Sequence, residues 1–231
     1  MQLAKITADS AEPICHLAAA GGHQLPPADG AMPGEYVDLL VGAKSFDAAV
    51  KFMAFALPPR EAVWWACVCA RMELQDSVED AVANALAAAE AWVRKPTDEH
   101  RRAAMTCAQA ANFDSPAAWA AVGAFWSGGS MGPPDVPAVP AAPHLLGVAI
   151  VGAVTLAAVQ FQPELAEERR ERYITAAVNI ANGGNGRIQS DDHGGGSGGH
   201  ARSDGRAPVD GLARSDGHGP RNGQVRRDGG K

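Results

Sequence analysis

The sequence predicts an all-α fold: an irregular bundle of six to eight mostly antiparallel helices, with a proline-rich crossover and a disordered C-terminal tail. Three observations predict it. Between residues 45 and 182, capping residues and prolines recur beside apolar or amphipathic runs of helical length. No run alternates apolar and polar with period two, and no hairpin turn signal appears between such runs. The final 49 residues, 183–231, hold 15 of the 26 glycines and no aromatic residue. The 182 residues before them carry every Trp, Tyr and Phe and are long enough to bury a sizeable core. Three segments follow: a weakly helical or loop segment at 1–44, a helical domain at 45–182, and a Gly/Asp/Arg-rich tail at 183–231.

Ala11–Ala20 reads as a short helix stopped at Gly21-Gly22, and Glu35–Val41 as a helical turn or short docked segment stopped by Gly42. Ser45 is placed to cap FDAAVKFMAFAL, which ends at Pro58-Pro59. In REAVWWACVCARMEL, Val63, Cys67, Ala70 and Leu74 form one stripe. Trp64 and Val68 widen it, while Trp65 and Met72 face elsewhere. A helix apolar nearly all round belongs at the centre of a bundle. Ser77 is placed to cap the next helix, with Val78, Val82, Ala85, Ala89 and Trp92 on its inner face. Thr97 caps the one after, with Asp98 and Glu99 near its positive end. Ser115-Pro116 is a cap followed by proline at the first helical position, opening PAAWAAVGAFW. Trp64, Trp92 and Trp119 are expected in one core.

Residues 127–143, SGGSMGPPDVPAVPAAP, interrupt the helices with five prolines and read as an extended, partly polyproline II crossover. Leu145–Val159 follows, an apolar run of 15 residues. As a helix it would reach about 22 Å, short of a hydrocarbon core of about 30 Å. It reads as a buried core helix, with membrane contact as the alternative. Pro163 opens the last helix and Gly183-Gly184 closes it, with Glu168 and Arg172 spaced to pair. Unequal spacing between helix starts argues against a repeat array.

Charge divides like composition. Residues 1–182 carry 12 Lys/Arg and 20 Asp/Glu, a net of −8, and residues 183–231 carry 8 and 6, a net of +2. An acidic body lacks the clustered cations of a nucleic-acid surface. The tail repeats ARSDG at 201–205 and 213–217 and cannot bury enough surface to offset its ordering entropy. His193, His200 and His218 lie in it at spacings that impose no metal geometry. The four cysteines, Cys15, Cys67, Cys69 and Cys107, lack a secretory context, and the N-terminus has no signal-peptide pattern. They read as buried reduced thiols, and the compartment as the cytoplasm.

No sequence motif announces chemistry. GxSxG, HExxH and Walker patterns are absent from the sequence, and no metal, cofactor or catalytic set is predicted. Cys15-His16 and the His100–Cys107 spacing are each insufficient for a nucleophile or a metal site. The most distinctive string is LPPREAVWWACVCA, Leu57–Ala70. Its tryptophans read as core anchors. Alternatively, Arg60, Glu61 and Trp64 line a pocket or partner groove at the Pro-Pro corner, since Trp and Arg are favoured interface anchors. A second candidate is Trp126, where the helix ending in Phe125-Trp126 meets the crossover.

The strings FMAFALPPREAVWWACVCAR and SPAAWAAVGAFWSGGSMGPPDVPAVPAAPHLLGVAIVGAVTLAA together resemble a poorly characterised family of bacterial helical proteins. That family pairs an LPxREAVWWA helix with an FWSGGS–proline–PHL segment. The resemblance spans roughly Phe46 to Ala181, leaving out the first 44 residues and the tail. It implies an association with type VI secretion gene clusters and no activity, catalytic residue or cofactor. The expected function is therefore a non-enzymatic cytoplasmic interaction protein, an accessory or adaptor of such a system, with a protein partner and no nucleic acid. The alternatives are an enzyme or effector whose site gathers Arg60, Glu61 and His100, and a membrane-associated protein acting through 145–159.

Overall fold

The computed structural model describes residues 1–187 except Asp76 and Pro134. The expectations for the tail from Ile188 onward, its disorder and its histidines included, lie outside the described residues. Within them the chain forms nine α-helices and no strand. They are α1 (Glu12–Ala20), α2 (Pro33–Gly42), α3 (Phe46–Ala56), α4 (Pro59–Met72), α5 (Asp80–Arg94), α6 (Asp98–Ala110), α7 (Pro116–Trp126), α8 (Leu145–Val159) and α9 (Ala166–Ala181). A single 3-10 turn, Pro163–Leu165, leads into α9. The class is the one predicted; the helices number nine where six to eight were expected.

The helix starts show why the local sequence works where it does. Ser115 Oγ accepts the Ala118 amide at 3.1 Å and Pro116 follows at the first helical position. Thr97 Oγ1 accepts the His100 amide at 3.3 Å. Two expected caps do not act. The Ser45 side chain makes no capping bond to α3, and α5 starts at Asp80 rather than beside Ser77, which lies in a bend of the preceding loop. α2 is a full helix of ten residues, more than the turn expected. The Glu35 carboxylate accepts the Met32 amide at 3.1 Å, and Tyr36, Val37 and Leu40 are buried on its inner face.

α4 and α7 occupy the middle of the body. α4 packs against α5, α7, α8 and α9, and α7 against α4, α5, α6 and α8. On α4 the two tryptophans exchange the places expected of them. Trp65 is fully buried and donates its indole N–H to the Tyr173 carbonyl of α9 at 2.8 Å. Trp64 is only half-buried. Helical periodicity identifies the stripe that meets α7 and α8, but a second partner, α9, covers the flank on which Trp65 stands. Trp92 is buried, as expected, whereas Trp119 on α7 is half-buried against the core. Close approach depends on missing side chains. A Cβ on Gly147 of α8 would stand 2.2 Å from the Phe55 ring of α3, and one on Gly123 of α7 would stand 2.8 Å from Ile150 Cδ1 of α8.

α8 is buried along Gly147, Ala149, Ile150, Val151, Ala153, Val154, Ala157 and Ala158, which places it in the core of this body. No single helix among the described residues is long and apolar enough to cross a membrane. The Glu168–Arg172 pair expected on α9 is replaced. Arg172 reaches Glu73 Oε1 at 3.4 Å, where Tyr173 Oη also donates at 2.8 Å. Arg169 completes this buried cluster. Its Nε stands 2.9 Å from Glu73 Oε2, and its Nη1 donates to the carbonyls of Ala158 at 3.0 Å, Gln162 at 3.3 Å and Phe161.

The crossover is a closed loop, not an extended strap. Ser130 and Pro140 form an isolated antiparallel bridge, and Met131 N donates to Val139 O at 2.8 Å. Ser130 Oγ accepts from Gly132 N at 3.1 Å and Val139 N at 3.0 Å. The buried Arg101 of α6 holds this loop to the body, donating to Phe125 O at 2.8 Å and Ser130 O at 2.7 Å. Its guanidinium lies 4.6 Å from the Phe125 ring centroid. Gly129, at φ 66°, lies over it, where a Cβ would come within 3.0 Å of Arg101 Nε. The Phe-Trp-Ser-Gly-Gly-Ser string is therefore the seat of an arginine. Composition alone suggested polyproline II because prolines withhold amide donors, yet Gly132, Met131 and Val139 still supply enough to close the loop.

Candidate functional site

Four parts of the chain converge at the head of α4. The N-terminal segment is tied to the end of α9, Lys5 N donating to Ala181 O at 2.8 Å and Ala4 N to Asn182 Oδ1 at 3.1 Å. Past α9, Gly183 turns the chain at φ 91°, and Gly186 N donates to Asn179 Oδ1 at 2.8 Å. These turns bring Asn185 over α4, where its carbonyl accepts the Trp64 indole N–H at 3.0 Å. The last turn of α5 lies alongside, and Arg60 Nε donates to Val93 O at 2.7 Å.

The result is an open groove of about 290 Å³, lined by Lys5, Arg60, Glu61, Trp64, Val93, Arg94, Ile180, Gly184 and Asn185. Three of the four residues proposed from sequence, Arg60, Glu61 and Trp64, meet here. Trp126 does not line the groove and packs half-buried on the core at the end of α7. Sequence reasoning missed Lys5, Arg94 and Asn185. Lys5 and Asn185 lie in segments read as loop and tail, and their approach to α4 depends on the turn after α9. Arg94 lies outside the inner face that the sequence assigns to α5. Residues 183–187 form this docked turn, where the sequence predicts tail.

The charges in the groove are unevenly matched. Lys5 Nζ and Glu61 Oε1 pair at 2.8 Å. Arg71 grips Glu90 through both oxygens, with Nη2 at 2.7 Å from Oε2. Arg94 stands 3.9 Å from that same carboxylate, its side chain 69% exposed. Arg60 spends its Nε on Val93, and its terminal nitrogens meet no acceptor among the described residues.

Other candidates do not assemble. His100 is not in the groove; its Nδ1 lies 2.8 Å from the Lys95 carbonyl. The third member of the enzyme alternative is thus directed elsewhere. Burial pushes the Cys15 thiol up, away from the thiolate form that a nucleophile needs, and burial raises Cys67 and Cys69 still further. Among the described residues no three of His, Cys, Asp and Glu are grouped to hold a metal ion. A second, more apolar groove of about 580 Å³ runs along α8 past Trp119, Val148, Val151 and Leu156, with His23, Asp47 and Lys51 at its edge.

The molecule is thus an all-helical protein with an arginine- and tryptophan-lined groove at one helix head. Over residues 36–181 it matches the family of unknown function DUF6931, and it belongs to that family. The match begins within α2, ahead of the span from Phe46 suggested by the two strings, and takes in the α4 head, Arg94 and the crossover. No curated protein and no solved structure matches the chain.

Proposed function

We propose that this protein is a non-enzymatic interaction protein that takes a segment of a partner protein in the groove at the head of α4. The observation that carries the reading is the convergence on Trp64 of arginines from two helices, in a groove open to solvent. Trp and Arg supply a disproportionate share of interface energy, because each presents a large flat surface with directional donors. A half-buried tryptophan held by a backbone carbonyl is pre-ordered for such a contact and loses little entropy on binding.

The working context is an accessory or adaptor role in a bacterial type VI secretion system, in the cytoplasm. The two strings that resemble secretion-associated helical proteins support it, as do four cysteines that stand as free thiols. The partner is a protein rather than a nucleic acid, since the body carries a net charge of −8 over residues 1–182. α8 serves as a core helix rather than a membrane contact. The test is co-purification of the tagged full chain from its native host, beside a Trp64→Ala/Arg94→Glu variant. Recovery of a spike, effector or other secretion component by the wild type, lost in the variant, supports the reading. Recovery of none by either overturns the secretion role.

A further inference from the structure

We propose that the occupant of this groove is a short acidic peptide segment, with a carboxylate held between Arg60 and Arg94 and an apolar side chain laid on Trp64. The inference rests on the groove being a binding site and adds the chemistry of what it binds. Lys5 and Glu61 satisfy each other at 2.8 Å. Glu90, the carboxylate nearest Arg94, is already committed to Arg71 through both oxygens. Arg94 therefore holds it only at 3.9 Å and projects into solvent. Arg60 is oriented by its Nε bond to Val93 O, which leaves its planar Nη pair presented without an acceptor among the described residues. Two guanidinium groups thus face one groove with little local compensation.

Guanidinium forks match carboxylates in two-point geometry, and such charge-assisted bonds are stronger than neutral ones. The rest of the body strengthens the selection. Its net charge of −8 over residues 1–182 repels an acidic chain from most of the surface, so attraction is local to the groove. Trp64, half-buried at the groove, supplies the apolar part of the contact.

The test selects a random dodecapeptide phage library on the immobilised full-length chain. The best peptide is then synthesised with a fluorophore and its affinity measured by anisotropy. Enriched peptides should be rich in Asp and Glu and carry an apolar residue. Arg94→Glu, a change at an exposed side chain, should weaken binding about tenfold or more, and Arg60→Glu/Arg94→Glu further. Binding should also weaken as salt rises from about 50 to about 300 mM. Circular dichroism melting of each variant guards against unfolding. If the selected peptides bind through the groove, losing affinity in Trp64→Ala, but show no acidic enrichment, the acidic class is overturned and the groove stands. If no peptide is enriched, or binding ignores all three substitutions, the groove reading itself falls.

Discussion

Trp64 and Trp65 are neighbours with opposite duties. Trp65 is fully enclosed between α4 and α9 with its N–H satisfied, while Trp64 faces the groove. Trp65→Ala should cost about 3–5 kcal/mol of stability, a lost aromatic and an unfilled cavity together. Trp64→Ala should cost about 1–2 kcal/mol, one hydrogen bond and partial burial. Urea denaturation of the two variants checks the order, and equal losses would contradict it. The cysteines divide by burial too. Cys67 and Cys69 lie in the core with thiols pushed up by burial, while Cys15 and Cys107 are half-exposed. A thiol reagent applied to the folded chain should label Cys15 and Cys107 and reach Cys67 and Cys69 only on unfolding.

At the scale of elements, α6 and the crossover form a latch. Asp98 accepts from Arg101 Nη2 at 2.6 Å and Arg102 Nε at 2.7 Å, and both arginines continue to the Ser130 carbonyl. Arg101→Ala should free residues 127–143 to proteolysis while the helical circular dichroism signal persists, because, among the described residues, the loop bonds to helix backbone only at helix ends, Ser127 to Ala124 O of α7 and Leu145 N of α8 to Ala142 O. The latch is also sensitive to acid. Hydrogen bonds from Arg102 and then Arg101 hold the Asp98 carboxyl below the usual carboxylate range. The unfolded chain therefore binds the proton first as pH falls. The stabilisation is complete above an unfolded value of about 3.9 and is lost as pH drops through the lower folded value. Asp98→Asn should flatten the stability profile in that acidic window and leave its shape near neutrality unchanged.

At the scale of the molecule, two features hold separate helices together. The first is the Glu73–Arg169–Tyr173 cluster, which joins the end of α4 to the end of α8 and the start of α9. Removing Arg169 leaves the buried Glu73 carboxylate with only Tyr173 and the half-exposed Arg172 at 3.4 Å, so Arg169→Met should destabilise by about 3–5 kcal/mol. Arg169→Met with Glu73→Gln should recover part of that loss, and a double-mutant cycle measures how much. The second is the close contact of α3 with α8 at Gly147. A methyl there overlaps the Phe55 ring, and Gly147→Ala should cost about 1–3 kcal/mol or more, read as a lower melting temperature.

The sequence by itself determined the helical class and most helix positions, because caps, prolines and apolar runs are local signals. Ser115-Pro116, Thr97 and the Pro58-Pro59 corner act where the sequence placed them. It also picked out Arg60, Glu61 and Trp64. Only the tertiary structure decided which tryptophan is buried, that Arg101 and Arg169 are interior groups, and that Lys5, Arg94 and Asn185 complete the groove. Those outcomes turn on which helix covers which flank and on carbonyls accepting from Arg101 and Arg169 across 7 to 29 positions in sequence. Periodicity ranks the faces of one helix. The face that receives a second partner, and the charges left uncompensated there, emerge only when distant segments fold against each other.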